Sequence, residues 1–112
     1  MNSLRNNIVL IGHLGKDPEL KKLGNGRTMA TISLATNEYY KKNGERVSVT
    51  QWHRCIAWGN LADLMSGMLN KGKEIVVRGK LTYNIYQDRQ GIRRNVPQIV
   101  VNEFVLLNKR DR

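Results

Sequence analysis

Thr50-Gln51-Trp52-His53-Arg54-Cys55-Ile56-Ala57-Trp58-Gly59 is the stretch on which the fold of this chain turns. In an extended strand successive side chains point to opposite faces, so Trp52, Arg54, Ile56 and Trp58 share one side and Gln51, His53, Cys55 and Ala57 the other. One face therefore carries two indoles with a guanidinium between them. The other runs to small, uncharged residues, as a side packed against a barrel interior should. Aromatic rings interleaved with fixed positive charge suit a polymer that is both flat-faced and anionic. Single-stranded nucleic acid is such a polymer: its bases stack on rings, each worth about 1–3 kcal/mol by alanine substitution, and its phosphates seek Lys and Arg. The alternative is that both tryptophans are ordinary core residues of a β protein.

Toward the N-terminus, Ile8-Val9-Leu10-Ile11 is a β-branched run that predicts a strand buried on both faces. Gly12 and Gly15 permit a bend or a close backbone approach, and Asp17-Pro18 marks a turn. Glu19 to Leu23 makes a short edge element, closed by the hairpin signal Gly24-Asn25-Gly26. From Arg27 to Glu38 the pattern alternates, with Ala30, Ile32, Leu34 and Thr36 on the more apolar, inward side. Tyr39-Tyr40-Lys41-Lys42-Asn43-Gly44-Glu45-Arg46 follows, turning at Asn43-Gly44. It is expected to be a flexible basic finger with a stacking tyrosine at its base, or else a solvated hairpin tip whose lysines protect the edge from aggregation.

Beyond Gly59 the period changes from two to about 3.6, placing Leu61, Leu64, Met65, Met68 and Leu69 on one helical face. Asn60 is the expected N-cap, Asp63 falls in the first turn, and Gly72 stops the helix. Lys73 to Tyr86 is again a strand, with Ile75, Val77, Leu81 and Ile85 backing Arg78, Lys80, Thr82, Asn84 and Tyr86. Asp88-Arg89-Gln90-Gly91 turns the chain, and Ile92 to Leu107 returns. Pro97 cannot donate to a ladder, which places it near an edge or a strand start. An all-β chain with one short helix between its third and fourth long strands predicts an OB-fold, a five-stranded Greek-key barrel whose sheet face and loops bind oligonucleotides. No linker, repeat or low-complexity tract divides residues 1–112, so one domain is expected.

The 112 residues carry a net charge of +10 and a pI of about 10.2, with basic residues spread along the whole chain. Such a surface attracts polyanions. One cysteine, Cys55, excludes an internal disulfide framework, suits a reducing cytoplasm and reads as a small buried hydrophobe. No apolar run approaches the roughly 20 residues of a membrane span, and the start lacks a signal peptide's apolar region. No catalytic constellation, metal site or cofactor is expected. His13 and His53 lie in different strands without ligands at metal spacing, Gly24-Asn25-Gly26 lacks the Lys-Ser/Thr of a phosphate-binding loop, and no close acidic pair suggests a two-metal nuclease.

The segment from Asn7 to Glu19, NIVLIGHLGKDPE, resembles the opening of bacterial single-stranded DNA-binding proteins. Leu34-Ala35-Thr36, Trp52-His53-Arg54, Gly59-Asn60-Leu61-Ala62 and Lys71-Gly72 follow in the same family order, and the likeness spans nearly the whole chain. The resemblance implies an OB-fold subunit that forms a homotetramer and wraps single-stranded DNA without sequence preference, during replication, recombination and repair. It implies stacking by Tyr40, Trp52, Trp58 and Tyr86, and basic contacts by Arg54 and Lys71. It gives His53 a structural role near a subunit interface. In two respects the chain departs from the family. Where further basic residues usually precede the last stacking aromatic, it has Thr82 and Asn84, with Arg78 and Lys80 earlier on that face as candidate DNA-binding residues. It also ends Asn108-Lys109-Arg110-Asp111-Arg112, without the usual linker and acidic tip, so recruitment of partners through such a tip is not expected. A primosomal-type adaptor or an RNA-binding OB-fold module is the competing expectation. A purely structural assembly protein, with its positive face buried at subunit contacts, is a third.

Overall fold

The computed structural model describes residues 4–107, and the basic end Asn108 to Arg112 lies outside the described residues. Its elements are β1 (Ile8–Leu14), β2 (Glu19–Lys22), β3 (Thr28–Lys42), β4 (Glu45–Trp58), α1 (Gly59–Met68), β5 (Glu74–Gln87) and β6 (Arg93–Leu107). The strands hydrogen-bond in the order β1-β5-β6-β4-β3-β2, and a further β1–β3 pairing through His13↔Ala35 and Leu14↔Leu34 closes the ring. β1, β3, β4, β5 and β6 thus form a closed barrel, with β2 appended along β3. This is the OB-fold. All neighbours are antiparallel except β4 and β6, whose parallel seam has only the pairs Cys55↔Ile99 and Ile56↔Val100.

Period-two alternation fills the barrel. Ala30, Ile32 and Leu34 of β3, Cys55 and Ala57 of β4, Ile75 and Val77 of β5, and Ile99 and Val101 of β6 are all buried. Each large apolar side chain among them contributes about 1.5–3 kcal/mol by leaving water. On β6 the inward set changes parity: Ile99 and Val101 point in, and so do Phe104 and Leu106, which pack on the core. A bulge makes this possible. Arg78 pairs Glu103 and Gly79 pairs Val101, so Asn102 has no opposite residue and the pleat shifts by one.

Two glycines mark where backbones meet. A Cβ on Gly12 would overlap the carbonyl oxygen of Ala35 at the β1–β3 closure, and one on Gly79 would overlap that of Val100 beside the bulge. Only a residue without a side chain lets the strands come so near.

α1 covers one barrel mouth with Ala62 and Met65, and Leu69 just beyond it, all buried. The helix is therefore rotated from the predicted face. Leu64 and Met68 are 52% and 45% exposed, because fully buried Ala62 seats the helix on a narrower stripe than five large side chains would need. Trp58 is the N-cap residue and supplies no side-chain hydrogen bond, so Asn60 is inside the helix, and no acidic residue lies in the first turn. The helix ends before Gly72, whose N–H donates to the Leu14 carbonyl at 2.9 Å.

β1 also differs from expectation. Its inward side chains Ile8 and Leu10 meet the core, but Val9 and Ile11 are 55% and 56% exposed, since among the described residues nothing layers over the outside of the barrel there. β5 leaves the barrel after Leu81, so that Tyr83 and Ile85, the latter expected inside, are exposed on a two-stranded arm with β6. Pro97 lies on this arm opposite Tyr83, where among the described residues β6 pairs with β5 alone. The basic finger is a second regular arm. β3 and β4 pair without interruption to Lys42↔Glu45, and Asn43 (φ 53°) and Gly44 (φ 79°) close it with the left-handed pair that a two-residue hairpin needs.

Cys55 is fully buried at the β4–β6 seam, and burial pushes its thiol up from 9.0 to about 12. The folded state thus favours the neutral thiol, while the unfolded chain ionises near 9.0. This contribution to stability is complete below the lower value and is lost as pH rises toward the higher one. Iodoacetamide should accordingly label the native protein at pH 8 only as fast as the barrel opens, and thermal stability should fall between pH 9 and 11. Immediate labelling of folded protein would contradict the burial.

Candidate nucleic-acid interface

Strand β4 sets the interface. Parity holds as the sequence predicts: Cys55 and Ala57 point inward, while Trp52 is 62% exposed and Arg54 exposed. The face is not continuous, however. Ile56 is buried at 3%, which separates Trp52 and Arg54 from a half-buried Trp58. Trp52 rests on the β1–β2 turn, where a Cβ on Gly15 would fall 2.5 Å from its ring. Glycine thus provides the floor on which the indole lies. His53, on the opposite side of the strand, hydrogen-bonds Thr36 Oγ1 through Nε2 at 2.9 Å.

Arg54 carries the surface across the seam. Its Nε donates to Gln98 Oε1 on β6 at 3.3 Å, and Gln98 stands opposite Thr82 of β5. Lys80 and Tyr86 have the same parity as Thr82 on β5, and Tyr86 is 47% exposed on the arm. Shallow clefts flank the Trp52–Arg54 ridge. One is bordered by Lys16, Thr31 and Ser33, the other by Leu81, Pro97 and Gln98. Lys71 is exposed in the turn after α1. Its backbone N–H donates to Asp17 Oδ1 at 2.8 Å, which ties that turn to the one beneath Trp52.

The remaining predicted residues lie elsewhere. Arg78 sits on the outer barrel face opposite Val9, with Nη2 2.9 Å from Glu103 Oε1, so its charge is already matched. Tyr40 is 49% exposed on the β3–β4 arm opposite Val47.

Two cation–aromatic contacts escape a strand-by-strand reading. The Arg27 guanidinium lies 4.6 Å from the centroid of the Trp58 ring, and that of Arg46 lies 4.5 Å from the centroid of Tyr39. Arg27 is set by its turn, where its N–H donates to Asn25 Oδ1 at 2.9 Å, and Met29, two residues on, is the cross-strand partner of Trp58. The signal for the first contact was the register between β3 and β4, which no local pattern prints. At the β5–β6 turn, Asp88 accepts from the backbone of Ile92 and Gln90 and from Arg94 Nε. The Ile92 bond first, then Arg94 and Gln90, hold its carboxyl below the usual range. Among the described residues no group of His, Cys, Asp and Glu side chains could hold a metal ion, and no helix is long and apolar enough to cross a membrane.

Comparison with known proteins bears on this surface. A single-stranded DNA-binding protein 1 of Chlorobaculum tepidum is 36% identical over 108 residues, covering 95% of this chain and 67% of that protein. The single-stranded DNA-binding proteins of two Neisseria meningitidis strains are 36% identical over 107 residues, covering 95% of this chain and 62% of theirs. The chain therefore spans about two thirds of these relatives' lengths. Among solved structures, a Plasmodium falciparum SSB complex with ssDNA superposes with a TM-score of 0.82 and 34% identity over 92% of this chain and 95% of that one. Residues 5–107 match the Single-strand binding protein family, nearly the full extent of the barrel and its arms, and the chain belongs to that family.

Proposed function

We propose that this protein binds and coats single-stranded DNA irrespective of sequence, as a binding protein and not a catalyst. Bases stack on Tyr40, Trp52, Trp58 and Tyr86, while Arg54, Lys71 and Lys80 meet phosphates; Arg78, ion-paired to Glu103 on the outer face beside Val9, takes no part in it. One observation carries this reading: an exposed indole on a glycine floor stands beside an arginine whose hydrogen bond extends the polar surface from β4 onto β6. Aromatic faces accept any base and phosphate charge is uniform, so affinity without sequence selection follows. The relatives' names and the DNA-bound neighbour support DNA as the polymer; a cytoplasmic role in replication, recombination and repair is part of the proposal. A homotetramer is part of the proposal. It is supported by Val9 and Ile11 of β1 and Val105 of β6, 55–58% exposed on the outer side of the barrel, an apolar area of the kind that marks association.

Titration with oligo-dT, oligo-U and duplex DNA while following tryptophan emission tests the reading. Oligo-dT should quench emission and bind most tightly. The logarithm of its affinity should fall linearly with the logarithm of salt concentration, by about 0.7 per phosphate contact. A preference for oligo-U would favour the RNA-binding alternative, and a salt-independent affinity would remove the phosphate contacts. Sedimentation of the free protein as a monomer would remove the tetramer.

A further inference from the structure

The β3–β4 arm presents two different faces, and adjacent tyrosines lie on opposite ones. The ladder pairs Ala35↔Trp52, Asn37↔Thr50, Tyr39↔Ser48 and Lys41↔Arg46, so these residues alternate onto the same side of the ribbon as Trp52. The other side holds Glu38↔Val49, Tyr40↔Val47 and Lys42↔Glu45. The Trp52 side thus reads, toward the tip, as an indole, three uncharged polar groups, a phenol and two cations, with no carboxylate. The Tyr40 side has two valines and two glutamates against one lysine. A polyanion following the ribbon out from Trp52 meets attraction on the first side and mixed charge on the second.

Resting on the function proposed above, we propose that Tyr39, backed by Arg46 and Lys41, is a base-stacking position for single-stranded DNA, continuing the Trp52–Arg54 surface to the end of the arm. Tyr39 is 58% exposed, more than Tyr40 at 49%. The Arg46 guanidinium lies over the Tyr39 ring with its centre 4.5 Å from the centroid, and a shallow cleft here is lined by Tyr39, Tyr40, Lys41 and Arg46. A guanidinium on one side of the phenol holds the ring in place and sets a phosphate ligand beside it. A base takes the opposite side of the ring, and the arginine reaches the adjoining phosphodiester. Among the described residues no guanidinium lies over the Tyr40 ring, and its cross-strand neighbour is Val47.

The test is oligo-dT binding by Tyr39→Ala, Tyr39→Phe, Tyr40→Ala and Arg46→Ala, with Trp52→Ala alongside and thermal unfolding recorded for each. Tyr39→Ala should weaken binding about fivefold or more, in the parent and in a Tyr40→Ala background alike, and Tyr39→Phe should bind like the parent because the ring and not the hydroxyl is used. Arg46→Ala should also flatten the salt dependence by about 0.7 in slope. Ultraviolet crosslinking of the parent to an oligonucleotide containing 5-iododeoxyuridine, mapped by mass spectrometry, should mark Tyr39. Crosslinks at Tyr40 alone, or a Tyr39→Ala variant that folds and binds like the parent while Trp52→Ala is impaired, would overturn this proposal and leave the function intact. A parent that binds no oligo-dT would overturn both.

Discussion

Trp52→Ala should weaken oligo-dT binding by about 1–3 kcal/mol, roughly 5- to 150-fold, and leave thermal stability nearly unchanged. The asymmetry comes from where the ring sits. At 62% exposure Trp52 gives up little buried area when removed, so the large-to-small penalty of a core site does not arise. Its upper side is open to a base while its lower side rests on Gly15. Trp58→Ala should behave differently. The ring is half-buried beneath Arg27, so truncation removes packing as well as a stacking plate, and both stability and affinity should drop. Fluorescence or anisotropy titration together with thermal melts separates the two cases. Parent-like affinity in Trp52→Ala would overturn the assignment of the β4 face.

Gly12→Ala should destabilise the fold by about 1–3 kcal/mol or more, lowering the melting temperature by several degrees. Two effects compete. Replacing glycine by alanine at a compatible position usually stabilises by about 0.4–1 kcal/mol, because the unfolded chain loses freedom. At Gly12 the new methyl meets the Ala35 carbonyl, a backbone atom that cannot turn aside, at the junction where β1 joins β3. The steric cost is the larger and sets the sign. Gly24 is the control: nothing lies within 4 Å of its position for a Cβ, so Gly24→Ala should be neutral or slightly stabilising. Equal stability of Gly12→Ala and parent would mean that the ring does not close there.

Most of the architecture was legible because side-chain parity and turn chemistry agree with it. The alternation of Ala30, Ile32 and Leu34, the glycine and asparagine turns, and the switch to helical period after Gly59 all correspond to observed elements. What was not legible depends on partners distant in sequence. An apolar run such as Ile8 to Ile11 shows that a strand will form but not whether its outer side is covered, and here it is not. Likewise Leu64 and Met65 satisfy the same helical period, and only Ala62's fit against the barrel chooses Met65 for the interior. Within the interface, Trp52 and Arg54 could be placed from one strand alone. The contact of Arg27 with Trp58, and the assignment of Tyr39 and Tyr40 to opposite sides of the arm, follow from the β3–β4 register, which the sequence of either strand leaves open.

The glycine floor under Trp52 has a thermodynamic consequence. An unsupported surface indole would sample several rotamers, and freezing one at the moment of association costs about 0.5–1.5 kcal/mol. Where the backbone at Gly15 already confines the ring, that entropy is lost when the chain folds, and each arriving nucleotide finds a platform fixed in orientation. A larger residue at position 15 would then slow nothing in the chemistry of DNA but would leave its landing place adrift.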